Sequence, residues 1–148
     1  MVSFVIVEYN SITELETCIS SITAYSLFEK NVEIIVSSNS CYSREIQMQL
    51  LIKYPNLKWV FNACNGGFAY AMNNGLIIAT GDFLVIMNPD VRLNVNIDKM
   101  IDYMHKHESV GVIAPKIVNA KGEVQDSYRD FITPINFTKR HVKRILRY

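Results

Sequence analysis

Apolar positions in this chain fall in short blocks separated by stretches of a different period. Residues 3–7 form a run of β-branched and aromatic type, which predicts a strand. Ser11 and Glu14 have the spacing of a capping box, and Ile12, Leu15, Ile19 and Ile22 recur at helical intervals, so an amphipathic helix follows. The unit then repeats. Residues 32–36 read as a buried strand, and residues 44–54, with Ile46, Leu50 and Leu51 on one side, read as a helix stopped by Pro55. Residues 57–61 give a third strand, 68–79 a helix despite Gly75, 82–87 a fourth strand, 97–107 a helix and 110–114 a fifth strand. Strands alternating with helices predict the α/β class, with a mostly parallel, doubly wound sheet flanked by helices. Beyond Pro115, residues 116–118 and 123–125 around a turn at 119–122 predict a hairpin, and residues 135–146 a basic amphipathic helix. No repeat or linker-like stretch interrupts the chain, so one domain is expected over residues 1–134, followed by a basic tail at 135–148.

Composition agrees with a packed domain: of 148 residues, 49% are hydrophobic and 11% aromatic. A net charge of +1 gives no overall field for nucleic acid, which is excluded as a partner. The charge is unevenly placed, because Lys139, Arg140, Lys143, Arg144 and Arg147 crowd the last ten residues with no acid among them. That tail is a candidate arm against anionic lipid, with a solvated terminus as the alternative. Three cysteines, Cys18, Cys41 and Cys64, are an odd number with no metal-ligand spacing, which fits a reduced, cytoplasmic setting. No basic leader precedes the first apolar run, and the run at 76–87 is broken by Gly81-Asp82, so neither secretion nor membrane crossing is expected.

In a parallel sheet, ligands gather at the carboxyl ends of the strands, where strand order reverses. The loops expected there are polar: Glu8-Tyr9-Asn10, Ser37-Ser38-Asn39-Ser40, Asn62-Ala63-Cys64-Asn65-Gly66-Gly67 and Asn88-Pro89-Asp90. Neither a dinucleotide fingerprint nor a P-loop is among them. A phosphate ligand would then need another source of positive charge. Asp90, just beyond a buried strand, can hold Mg2+ or Mn2+, although Asn-Pro-Asp is also an ordinary turn sequence. Asn65-Gly66-Gly67-Phe68 reads either as a close backbone approach to a ligand or as a capped turn. Tyr9 could stack on a base with Asn10 bonding to it, or pack on the rim. His105, His107 and His141 read as surface residues, and Cys64 as inert.

Taken in order, these blocks resemble the N-terminal half of a family 2 glycosyltransferase of the GT-A, Rossmann-like type that uses nucleotide sugars, with rhamnosyltransferase-like members nearest. The matching stretches begin at residues 5–11 (VIVEYNS), 33–36 with Asn39-Ser40, 65–75 (NGGFAYAMNNG) and 79–90 (ATGDFLVIMNPD), and they continue at 110–116 with Asn119 and Gly122. The resemblance implies that Asp90 holds a divalent ion, Mg2+ or Mn2+, on the diphosphate of a UDP- or dTDP-sugar. It places Tyr9, Asn10, Ser38, Asn39, Gly67, Phe68, Asn73 and Asn88 around that donor. It further implies glycosyl transfer, usually inverting, to a saccharide or lipid-linked acceptor in bacterial surface polysaccharide synthesis, at the inner face of the membrane.

Two departures stand out. Ser38 occupies the position where the family usually has an aspartate that accepts a hydrogen bond from the pyrimidine ring, and Glu8 stands where a small polar residue is usual. The family also normally continues well beyond this length, into an acceptor site and an acidic base. Asp126 and Asp130, the last acids here, lack the apolar surroundings of such a base. The chain is therefore expected to be a truncated donor-binding half. The alternative is a non-catalytic module acting as a subunit. An uncovered sheet is expected to favour self-association or a partner subunit.

Overall fold

The computed structural model describes residues 1–26 and 32–125, together with 127, 133, 134 and 138. The chain divides into two compact units, residues 1–108 and 109–148.

In the first unit, strands β1 (Val2–Glu8), β2 (Val32–Ser38), β3 (Lys58–Phe61) and β4 (Phe83–Met87) alternate with helices α1 (Ile12–Ser26), α2 (Arg44–Lys53), α3 (Phe68–Ile77) and α4 (Asp98–Lys106). All strand pairs are parallel, in the order β3-β2-β1-β4. β1 is buried along its whole length because it lies between two neighbours and both its faces are covered. Its even-numbered side chains, Val2, Phe4 and Ile6, join Val36 and Met87 under Leu15, Cys18 and Ile22 of α1. Its odd-numbered Val5 and Val7 join Ile35 under Ala71 and Met72 of α3. Period-2 alternation thus feeds two cores from one strand. Each fully buried side chain such as Phe4 or Ile6 contributes roughly 1.5–3 kcal/mol.

α1 and α2 share a face, tied by the Glu16 carboxylate, which accepts from Lys53 Nζ at 2.7 Å and from the Tyr54 hydroxyl. α3 lies on the opposite face. Gly75 makes that packing possible, since a Cβ there would sit 2.6 Å from Val5 Cγ1. The chain therefore steps outward from β1 to β3, then returns across the other face to place β4 beside β1. Strand order reverses between β1 and β4.

Two sequence expectations differ from the structure, the strand at 110–114 and the capping box. Residues 110–114 are not a strand: among the described residues the run has no ladder partner, and Val112 is 87% exposed. Residue type favours a strand only where a neighbouring backbone and an apolar surface receive it. The hairpin expected around the turn at 119–122 does form, as a short one: Val118 bridges Val124 antiparallel, the Gln125 amide donates to Ile117 O at 2.8 Å and the Asn119 amide to Glu123 O at 2.9 Å, and Gly122 N–H on Asn119 O at 2.9 Å closes the turn. The Ser11–Glu14 capping box does not form, because the Ser11 amide donates to Glu8 Oε1 at 2.9 Å instead. Asp126, Asp130 and, apart from Thr138, the expected helix at 135–146 lie outside the described residues. Among the described residues no helix is long and apolar enough to cross a membrane.

Candidate nucleotide-sugar site

A cavity of about 550 Å3 opens at the carboxyl ends of the strands, where strand order reverses. β1 contributes Val7, the loop after it Tyr9 and Ser11, the first turn of α1 Glu14, the loop after β2 Asn39, the entry to α3 Asn65, Gly67 and Phe68, and the loop after β4 Asn88, Pro89 and Asp90. Of the residues expected around a donor, Tyr9, Asn39, Gly67, Phe68, Asn88 and Asp90 are brought together here. Asn10, Ser38 and Asn73 do not line the cavity. Asn10 sits at a left-handed φ of 50° with its amide on Ser40 Oγ at 2.7 Å. Ser38 is 1% exposed, beneath the floor, and Asn73 is exposed on α3.

Two polar networks fix the loops. The first is centred on Glu8, which is fully buried at the end of β1 in register with Ser38 of β2. Its Oε1 accepts from the Ser11 amide at 2.9 Å, the Tyr42 hydroxyl at 3.0 Å and Ser40 Oγ at 3.0 Å. Its Oε2 accepts from Ser38 Oγ and from Ser40 Oγ at 2.9 Å. A buried carboxylate needs this many donors when no cation faces it. Burial, with the Glu8 charge adding to it, holds the Tyr42 phenol above its usual range and so in the donating form. The second network is a ladder of asparagines. Asn74 Nδ2 donates to Asn62 Oδ1 at 2.7 Å, Asn62 Nδ2 to Asn39 Oδ1 at 3.0 Å, and Asn39 Nδ2 to Gly67 O at 3.0 Å and Asn65 Oδ1 at 3.2 Å. Asn65 Oδ1 also accepts the Gly67 amide at 3.0 Å. Gly67 starts α3 at φ 84°, which is why glycine is needed there.

The loop after β4 is held against α1. Asn88 O accepts the Val91 amide at 3.3 Å and faces Cys18 Sγ at 3.8 Å, and the Leu93 amide donates to Ser21 Oγ at 2.9 Å. Burial, helped by the Asp90 charge, pushes the Cys18 thiol up to about 11, so it carries its proton and is no thiolate ligand. Asp90 itself is exposed. Among the described residues no cluster of three or more His, Cys, Asp or Glu could form an all-protein metal cage. The sequence gives no site role to Ser11 or Glu14, whereas Asn65 stands in the loop read there as a ligand approach or a capped turn. The signals for Glu8 are a charged residue ending an otherwise apolar strand and its place where a small polar residue is usual.

A parallel sheet with a polar cavity at its switch point defines a Rossmann-like domain, here with an exposed aspartate after the fourth strand. The sequence pattern described as Glycosyl transferase family 2 matches residues 3–147, and the chain belongs to that family. Among solved structures, S. aureus TarS 1-349 is similar with a TM-score of 0.59 and 20% identity, covering 78% of this chain and 38% of that one. The same protein in complex with UDP gives a TM-score of 0.60 at 19% identity, over 79% of this chain and 41% of that one. The mannosyltransferase PcManGT from Pyrobaculum calidifontis, in complex with GDP-Man and Mn2+, gives 0.60 at 17% identity, over 81% and 36%. The chain spans about two fifths of the length of these structures. No curated protein matches it.

Proposed function

We propose that this chain binds a nucleoside-diphosphate sugar with a divalent cation on Asp90, as the donor side of a glycosyltransferase acting in surface polysaccharide assembly with inversion at the anomeric carbon. The observation that carries the reading is the charge of the cavity: among the described residues, Glu14 and Asp90 line it and no lysine or arginine does. A phosphate charge about 6 Å from one such carboxylate is opposed by about 3 kcal/mol at an effective dielectric constant near 20. A diphosphate is therefore expected to bind far more tightly together with a cation than alone. Asp90 suits one, being an exposed oxygen ligand of the kind that holds Mg2+ or Mn2+ together with substrate phosphates. When bound, such an ion neutralises charge on the departing nucleoside diphosphate. Family membership and neighbours in complex with UDP and with GDP-Man and Mn2+ support the same donor class. The acceptor, lipid-linked or saccharide, and an approach of the basic tail to the inner face of the membrane belong to this proposal as well.

Titration calorimetry of the chain with UDP- and dTDP-sugars, with and without Mn2+, tests it. Binding is expected only with the ion, and Asp90→Asn is expected to weaken it at least tenfold while the unfolding midpoint holds, since an exposed loop side chain contributes little to packing. Equal affinity in the presence of a chelator would remove the cation from the reading. Ion-dependent binding without transfer to any acceptor would mark the chain as a donor-binding module.

A further inference from the structure

Resting on the reading of the cavity as a donor site, we infer that Glu14 sorts donors by charge, so that the cavity takes sugars without a carboxylate and turns away uronic acid donors. Among the described residues, the charged side chains on the cavity wall are Glu14 and Asp90. The other polar groups there are the hydroxyls of Tyr9 and Ser11 and the amides of Asn39, Asn65 and Asn88, and Arg92, two positions past Asp90, is not part of the lining. Asp90 is committed to the cation in that reading, which leaves Glu14 as a negative charge without one.

Glu14 is also free of the duty its position suggests. As the third residue of α1 it would ordinarily accept the amide at the helix start. Glu8 Oε1 takes that Ser11 amide at 2.9 Å instead. Among the described residues no ion pair or hydrogen bond holds the Glu14 side chain, which stands exposed on the first turn of the helix. The positive end of the helix offsets about half a charge at most.

Charge acts at a distance, whichever wall the sugar meets. A cavity of about 550 Å3 is about 10 Å across, roughly one Debye length at 0.1 M salt, so no point inside it is fully screened from Glu14. A divalent ion balances either the diphosphate or the two wall carboxylates, and not both. A neutral sugar adds nothing to the negative excess, and its hydroxyls can donate to the Glu14 oxygens. A uronate adds a further negative charge and loses one such donor. Two like charges about 8 Å apart near a protein surface repel by roughly thirtyfold in affinity, reduced to about tenfold where solvent and salt reach an exposed group.

Calorimetry of the full chain in Mn2+ with the glucose and glucuronate forms of the UDP and dTDP donors reads this directly, because each pair differs only by a carboxylate in place of a hydroxymethyl group. The glucose donor is expected to bind about tenfold more tightly at low salt, with the gap narrowing at high salt. Glu14→Gln is expected to close most of the gap by strengthening glucuronate binding, and Glu14→Asp to keep it. The side chain is exposed, so both variants keep the fold. A role confined to the helix end would lower the unfolding midpoint of Glu14→Gln and leave the ratio of the two constants where it was. A ratio near one in the parent, or a ratio that Glu14→Gln does not move, overturns the inference and leaves the nucleotide site standing. Failure of all four donors to bind removes the site and the inference together.

Discussion

At the scale of single residues, Glu8 and Asp90 are two carboxylates at the ends of neighbouring strands with opposite duties. Asp90 is exposed at the cavity, while Glu8 lies below it with its oxygens filled by serine and tyrosine hydroxyls and the Ser11 amide. Glu8→Ala would leave these buried donors without an acceptor, and each unsatisfied group costs about 1–3 kcal/mol. The loss is expected to be about 3 kcal/mol or more in denaturant titration. It should be accompanied by faster amide exchange at Ser11, with the β1–β2 ladder still protected. Exchange that stays slow at Ser11 would show that the loops do not depend on Glu8. The sequence displays the charge at Glu8 but not its partners, which come from positions 11, 38, 40 and 42 and meet only once β1 and β2 pair.

The elements were legible where local pattern and tertiary placement agree. β1, α1, β2 and α2 lie close to where the apolar period and Pro55 place them, and the structure adds a cap at the start of α2, where Ser43 Oγ accepts the Ile46 amide at 3.4 Å. The run at 110–114 has strand residues without strand surroundings, and the asparagine ladder is invisible because its rungs are 12 to 26 positions apart. Gly75 is the informative case: by propensity it weakens α3, yet it is the residue that lets α3 approach β1. Gly75→Ala should gain up to about 1 kcal/mol in helix propensity and lose about 1–3 kcal/mol to the contact with Val5. A net loss is expected, seen as a lower denaturant midpoint at unchanged slope. A raised midpoint would show that α3 shifts freely on the sheet.

Over the first unit as a whole, the cavity lies at the carboxyl end of the sheet and a stabilising cluster of charge at the other. There Glu33, in β2, accepts from Lys58 Nζ, from Ser3 Oγ, and from the Thr80 amide at 2.6 Å and hydroxyl at 2.9 Å, joining β1, β2, β3 and the turn before β4. Burial alone would raise its carboxyl, but Lys58, Ser3 and Thr80 outweigh it and hold the group down to about 2, from an ordinary value of 4.5. The folded state therefore binds this proton less readily than the unfolded chain. The resulting stability is complete above about pH 4.5 and is lost as pH falls from there through about 2. With a side chain only 10% exposed, the group contributes on the order of 2–3 kcal/mol at neutral pH. Asp82, lowered by the N-terminal ammonium, and Glu16, lowered by Lys53 and Tyr54, titrate in the same direction from exposed positions. They contribute equally to the parent and to a Glu33→Gln variant, so the difference between the two proteins isolates Glu33. Urea midpoints of the parent should exceed those of Glu33→Gln at pH 7, and the gap should close between pH 4.5 and 2. Parallel curves across that window would mean that Glu33 keeps its proton affinity on folding, and that the charge cluster at this end of the sheet is not what holds the strands in acid.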